Sequence, residues 1–312
     1  SGLPLWFNET FDAQPKFQYG SLDDYLPLYG KLEVDPKKQG TYSYSNVGFI
    51  TLGFVIEAIT GNSFSTYLQE AIFQPLQMHE TGVYTLTEII PHMATGYVRP
   101  SGPGDHWKTN HHLNKGGSPA GGIYSSPEDL IKFYRGLVQG QLLQKSSVEL
   151  MMTPWISTPF GKYGYGIALN EINGSAVYGH LGGYYGARGE LMWYKEADVM
   201  VAILANSDQT DYIDLSHYIQ TMLVGREAEQ KAYAHTLRLI RSVEWRNWDG
   251  KTPLNLDTNL SYDEALIQIK GYYHFNQQSY NEAEKLFQLN VLLFPESQPA
   301  QRDLERVRSL TR

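Results

Sequence analysis

The chain has 312 residues, no cysteine, 42% apolar and 19% charged residues, and a net charge of −8. Disulfides, thiolate nucleophiles and Cys-ligated metals are excluded, and the acidic balance argues against binding to phosphate backbones. The longest purely apolar run, Val199 to Ala205, has seven residues, far short of the about 20 a membrane span needs.

Residues 1–40 are rich in Gly, Pro and aromatics without a clear period and read as loops with short helical turns. Phe49, Leu52, Val55, Ile56 and Ile59 have helical spacing and predict a helix over 47–59, stopped by Gly61-Asn62. A second helix covers Phe64 to Phe73 and ends before Pro75. Residues 96–122 hold many Gly, Pro, His and Asn and read as a long surface loop. Ser126-Pro127-Glu128-Asp129 is a helix start: Ser126 caps, Pro127 fits the first position, and the acids suit the positive end of the dipole. Leu130, Phe133, Tyr134 and Leu137 give that helix an apolar face, and Gly140 marks its stop.

From residue 163 the character changes to strands, expected at Tyr165–Leu169, Ala176–His180, Gly189–Tyr194 and Val199–Ala205. Asn173-Gly174 is a hairpin signal, and Lys195 to Asp198 make a further turn. The last strand is continuously apolar and is expected at the centre of the sheet, covered on both faces, with a helix at about 211–223 as one cover. In the tail, residues 226–246 read as a polar helix and 247–260 as a linker. Gly271, Ala283, Phe287 and Pro295 then fall at the offsets of a tetratricopeptide-like repeat over about 264–297. Two antiparallel helices, roughly 262–276 and 279–293, should meet at Gly271 and Ala283, and 298–310 should cap them.

Two patterns can carry chemistry. Tyr44-Ser45-Asn46 precedes a helix, where a Tyr can serve as a base and an Asn can hold a carbonyl. His180-Leu181-Gly182-Gly183 ends a strand, where glycines let a ligand approach the backbone N–H groups and the imidazole can relay a proton. Taken singly, the first equally fits an N-capping Asn beside a packed Tyr, and the second a turn His with flexible glycines. Asp105-His106 with His111-His112 match no zinc spacing and read as surface loop. Ser118 has no identifiable base and is not read as a nucleophile.

In combination these segments resemble the penicillin-recognising serine hydrolases of the class C β-lactamase and D-alanyl-D-alanine-carboxypeptidase branch, whose elements are S-x-x-K, Y-x-N and K-T-G or H-x-G. Ser1 to Pro4 is similar to the end of "H-T-S-G-L-P", Tyr42 to Asn46 to the "Y-S-N" element, and Gln74 to Met78 to "x-P-L-G-M", with Gln77 in place of Gly. Pro119 to Ser126 resembles "P-A-G-G-L-x-S-T", Gly179 to Gly183 with Gly186 resembles "G-H-x-G-G-x-x-G", and Val201 to Asn206 resembles the strand ending in "L-x-N".

The resemblance implies an α+β fold of the β-lactamase/transpeptidase type: an antiparallel sheet with a helical lobe, followed by a C-terminal helical hairpin. The hydrolase domain would occupy residues 1–225 and the helical tail 226–312. By the same resemblance Tyr44 is base or proton relay and Asn46 holds the substrate carbonyl side. His180 stands where relatives have Lys, and the N–H of Gly183 is half of the oxyanion hole. The implied reaction is acyl transfer to water on amides or esters, as a peptidase or esterase rather than an efficient β-lactamase. It takes a small-molecule or peptide substrate and no metal or organic cofactor. No Ser in the chain is followed three residues later by Lys. The expectation is therefore a chain truncated upstream of residue 1 and inactive alone. A rival reading is a non-catalytic peptide- or peptidoglycan-binding protein whose repeat recruits a partner. Self-association through 226–312 and a periplasmic or extracellular location complete the expectations, the latter by family analogy.

Overall fold

A computed structural model of the protein describes residues 2–3, 11, 14–29, 33–99, 106–111, 113, 116–158, 161–207, 211–242, 247–249, 252, 254, 256–257, 259–276 and 279–311. Ser1 and Pro4 of the first signature, with Asp105 and His112, lie outside the described residues. The chain forms two units: Ser1–Val98, Thr109–Glu171 and Ala176–Asp208 make the first, and Arg99–Lys108, Ile172–Ser175 and Gln209–Arg312 the second.

The first unit begins with 3-10 turns at Lys16–Gln18 and Asp23–Tyr25 and one helical turn, α1, at Leu26–Tyr29. Helix α2, Asn46–Thr60, starts where the Ser45 hydroxyl accepts the Gly48 N–H at 3.2 Å, and it ends at Gly61, φ 70°. The residues that carried the helical spacing are mostly not the buried ones. Val47 and Ile50 are buried with Phe11, Tyr19 and Tyr25, whereas Leu52, Val55 and Ile59 are exposed. This helix is apolar around most of its circumference, so spacing alone cannot choose a face. The choice is made by Gly53, where a Cβ would stand 2.3 Å from Pro119 Cγ.

Helix α3, Phe64–Leu68, is capped by Ser63 and continues as a π-helical turn, Gln69–Phe73, before Pro75. The 96–122 stretch is mostly irregular and includes the two-residue strands β1, Tyr97–Val98, and β2, Lys108–Thr109. It is not wholly surface, because Asn110 and Ser118 are buried. Helix α4, Pro127–Val138, has Ser126 as its cap, accepting the Asp129 N–H at 3.3 Å. Asp129 is buried and accepts from the Glu80 N–H at 2.8 Å, the Thr81 hydroxyl at 3.0 Å and Lys132 at 2.6 Å. Burial alone would raise its carboxyl, but these bonds outweigh it and hold the group below its ordinary range. Helix α5, Lys145–Met151, has no counterpart in the sequence reading.

The sheet is antiparallel in the order β3-β4-β5-β6-β7-β8: Ile156–Thr158, Gly161–Tyr163, Ala168–Ile172, Ser175–Tyr184, Ala187–Tyr194 and Val199–Ala205. Asn173 and Gly174 turn the β5–β6 hairpin with φ of 52° and 81°, the left-handed pair a two-residue turn demands. Strands β3 and β4 are additions to the expected set. The central position expected for β8 is corrected: among the described residues β8 is an edge strand, paired with β7 alone. Its side chains are mostly half-buried, and it packs against α4.

The second unit holds α6, Asp211–Val224, α7, Glu227–Ile240, α8, Glu264–Asn276, α9, Tyr280–Leu293, and α10, Gln298–Thr311. Helices α8 and α9 form the expected hairpin, α10 packs on α9, and α8 packs on α6 and α7. At Gly271 a Cβ would stand 2.3 Å from Phe287 Cε1, so only glycine admits the approach of the two helices. Gly271 therefore meets Phe287, while Ala283 is buried beside Phe287, Leu304 and Val307. The linker reading of 247–260 needs correcting for its described part. Trp248 is buried with Ile267, Leu286 and Leu289 and donates to the Thr252 carbonyl at 2.6 Å.

Candidate active site

Ser45 lies in an extended conformation, φ −144° and ψ 111°, and caps α2 with its own hydroxyl. Asn46 is consequently the first helical residue rather than the cap, and its amide is not committed to the helix end. It is buried, while Tyr44, on the other side of Ser45, is half-exposed. Burial first, and then the neighbouring Tyr42, push the Tyr44 hydroxyl above the ordinary phenol range. Near neutral pH Tyr44 is a proton donor.

Strand β6 delivers the other half. Strands β5 and β6 are neighbours in the sheet, and the two-residue turn at 173–174 sets β5 beside residues 175–179. Residues 180–184 pair with β7, with His180 opposite Leu191 and Gly183 opposite Arg188. Tyr44 lies beside this stretch, with its ring centroid 6.4 Å from that of His180. The His180 Nδ1 lies 2.5 Å from the Leu181 carbonyl oxygen, and its Nε2 lies 2.6 Å from the Tyr163 hydroxyl. Tyr42 packs on Tyr163 with centroids 6.3 Å apart, so Tyr42, Tyr44, Tyr163 and His180 form one polar-aromatic group.

Gly183 is exposed, and the Arg188 side chain lies across it, with Cδ 3.3 Å from where a Cβ would be. Arg188 donates to the carbonyls of Tyr184 at 2.5 Å and Ala187 at 2.8 Å. A fixed cation thus stands beside the Gly183 backbone, the sign that favours a developing oxyanion. Tyr44 and His180 meet at ring distance, with Asn46 and Gly183 on the same two segments. Ser118 is elsewhere engaged, donating to the Gly121 carbonyl at 3.1 Å. Among the described residues there is no group of three or more His, Asp or Glu that could hold a metal ion. No single helix there is long and apolar enough to cross a membrane.

Residues 1–223 match the family model described as Beta-lactamase. The chain belongs to that family. Penicillin-binding protein 4* of Bacillus subtilis (strain 168) is 28% identical over 230 residues, 68% of this chain and 51% of that protein. Teichoic acid D-alanine hydrolase of Staphylococcus aureus is 26% identical over 161 residues, 50% of this chain and 40% of that protein. The crystal structure of penicillin binding protein from Bacillus halodurans superposes with a TM-score of 0.66 at 28% identity, covering 71% of this chain and 69% of that one. The chain spans about half the length, or less, of these two curated relatives. The mixed fold of helices and antiparallel sheet is that of its penicillin-binding structural neighbours.

Two members of the polar-aromatic group, Tyr42 and Tyr163, were not singled out from sequence, and neither was Arg188. Tyr163 pairs with Ala168 on β5, which the hairpin count sets opposite Gly179, next to His180. That path was readable from Asn173-Gly174 once a strand at 161–163 was recognised. Arg188 follows in the same way from the tight turn at Tyr185-Gly186, which sets it against Gly183.

Proposed function

We propose that this beta-lactamase family chain supplies the Tyr/Asn and lining-strand parts of a serine hydrolase site that transfers an acyl group from an amide or ester to water. The observation that carries this reading is the approach of Tyr44 to His180 on β6. The substrate class we favour is a D-alanyl ester or amide, because a relative is a teichoic acid D-alanine hydrolase. Peptidase or esterase action suits a His at position 180 better than efficient β-lactam hydrolysis.

In this mechanism the Gly183 N–H, with Arg188 beside it, stabilises the tetrahedral oxyanion. The Asn46 amide donates to the substrate's carbonyl side. Tyr44 passes a proton between nucleophile and leaving group. The 312 residues hold no S-x-x-K, and in this reading the Tyr/Asn and lining-strand parts act on a nucleophile supplied by such a segment. A nearby lysine ammonium is also what would bring the Tyr44 hydroxyl down toward a working range. The hydrolase part ends near residue 225, the 226–312 tail is a surface for a protein partner or a second copy, and the protein acts outside the cytoplasm, as its cell-wall relatives suggest.

The test joins an S-x-x-K segment upstream and measures hydrolysis of a p-nitrophenyl ester of an N-acyl-D-alanine. The extended protein is expected to label with a fluorophosphonate and turn over. Tyr44→Phe should lower kcat/KM by about 10²–10⁴-fold, the ordinary worth of general acid–base catalysis. Stoichiometric labelling of residues 1–312 alone, or an unchanged kcat/KM in Tyr44→Phe, would overturn the reading. Saturable ligand binding without turnover in the extended protein would replace it with a binding role.

A further inference from the structure

We infer that Tyr163 is a positioning residue that fixes the tautomer of His180. A carbonyl oxygen can only accept, so the contact of His180 Nδ1 with the Leu181 carbonyl at 2.5 Å requires the proton on Nδ1. In the neutral ring Nε2 is then a lone-pair acceptor, and it takes the Tyr163 hydroxyl at 2.6 Å. The donor is dependable: burial, and then Tyr44 and Tyr42, push the Tyr163 hydroxyl well above the ordinary phenol range, so it keeps its proton. The two rings also meet edge to face, 5.8 Å between centroids and 78° between planes, which fixes the imidazole's rotation as well as its proton.

The consequence deepens the hydrolase reading and rests on it only in part. A His at this position could serve as a cation, taking the place of the family's lysine. With its Nδ1 on the Leu181 carbonyl and its Nε2 on the Tyr163 hydroxyl, His180 stands as an oriented ring with both nitrogens engaged. Arg188 supplies a charge beside the strand that does not depend on position 180. A ligand group that binds at Nε2 has to displace the Tyr163 hydroxyl, which favours a neutral donor such as an amide N–H over a carboxylate at that point.

The test is the ring ¹⁵N spectrum of residues 1–312 made with ¹⁵N-histidine, with His180 assigned through His180→Gln. The expected spectrum of the neutral ring has a pyrrole-type Nδ1 and a pyridine-type, hydrogen-bonded Nε2. Tyr163→Phe keeps the ring packing but removes the donor, so the Nε2 resonance should move downfield toward that of an unbonded pyridine-type nitrogen. Tyr165→Phe, two residues along and exposed, should leave it in place. A wild-type His180 carrying its proton on Nε2 would overturn the assignment, and that result stands even if Tyr163→Phe fails to fold. An Nε2 resonance that is the same in wild type and a folded Tyr163→Phe would overturn it too. No turnover is read, so failure of the hydrolase reading leaves this result untouched, and failure here leaves Tyr44, Asn46 and Gly183 as the proposed site.

Discussion

In the sheet-bearing unit, Tyr44 and Gly183 stand open to solvent beside the end of β6. In the helical unit the polar side chains turn inward onto one another. Asp263 holds His217 at 2.9 Å and the Leu266 N–H at 2.9 Å, while its own N–H is taken by Thr236 at 2.6 Å. Asp303 accepts from Gln268 at 2.7 Å and Tyr272 at 2.5 Å, and Lys270 pairs with Asp214. Groups consumed in this way hold helices together and are unavailable to a ligand. In the sheet-bearing unit Asp129 is used in the same inward manner, and it lies away from the site residues in sequence. Glycine differs in the same sense: Gly271 admits a helix, whereas Gly183 opens a strand.

The comparison is sharpened first at α2, which carries Asn46. Ile50→Ala should destabilise the sheet-bearing unit by about 4 kcal/mol, the cost of a buried large-to-small change. Leu52→Ala, two residues along and exposed, should stay within about 0.5 kcal/mol. Amide exchange read separately in 46–60 and 264–293 checks both. Equal effects from the two variants would mean that the assigned buried face is wrong.

Asp129 comes next. Asp129→Asn should cost about 2–3 kcal/mol near neutral pH, since charge-assisted bonds are lost. The carboxyl lies below its ordinary range in the folded chain, so its stabilisation is present above the unfolded-state value of about 3.9 and is lost as pH falls from there through the folded value. The Asn variant should therefore show a shallower loss of stability on acidification, measured by urea unfolding at stepped pH. An unchanged acid limb would mean that Asp129 is not the inward group described here.

The smallest effect belongs to the helical unit. Gly271→Ala forces a methyl into the Phe287 ring and should cost about 1–3 kcal/mol of overpacking, seen as faster amide exchange in 264–293 and not at 180–194. Faster exchange at 180–194 as well would show that the two regions are less distinct than described.

Local signals carried much of this molecule. Ser126-Pro127, Asn173-Gly174 and the Gly271 helix pair were legible because caps, tight turns and close helix approaches each need a particular residue at one position. The segments bearing Tyr44, Asn46, His180 and Gly183 were legible because two short patterns recur in family order. What stayed hidden depends on distant partners. The buried face of α2 is chosen by Pro119, far along the chain from Gly53. The edge position of β8 depends on which strands lie beside it, which its own composition does not record. The Tyr163 bond needs three strands counted across a sheet.

The central claim is that Tyr44, Asn46, His180 and Gly183 form one ligand site. Its most direct test is an NMR titration of residues 1–312 with N-acetyl-D-alanine amide, which needs no nucleophile. The account predicts that the Gly182 and Gly183 amides, the Asn46 side-chain amide and the His180 ring shift together on one saturation curve, while 264–311 stays still. Shifts that follow different midpoints, or that spare β6 while moving the helical unit, would contradict it.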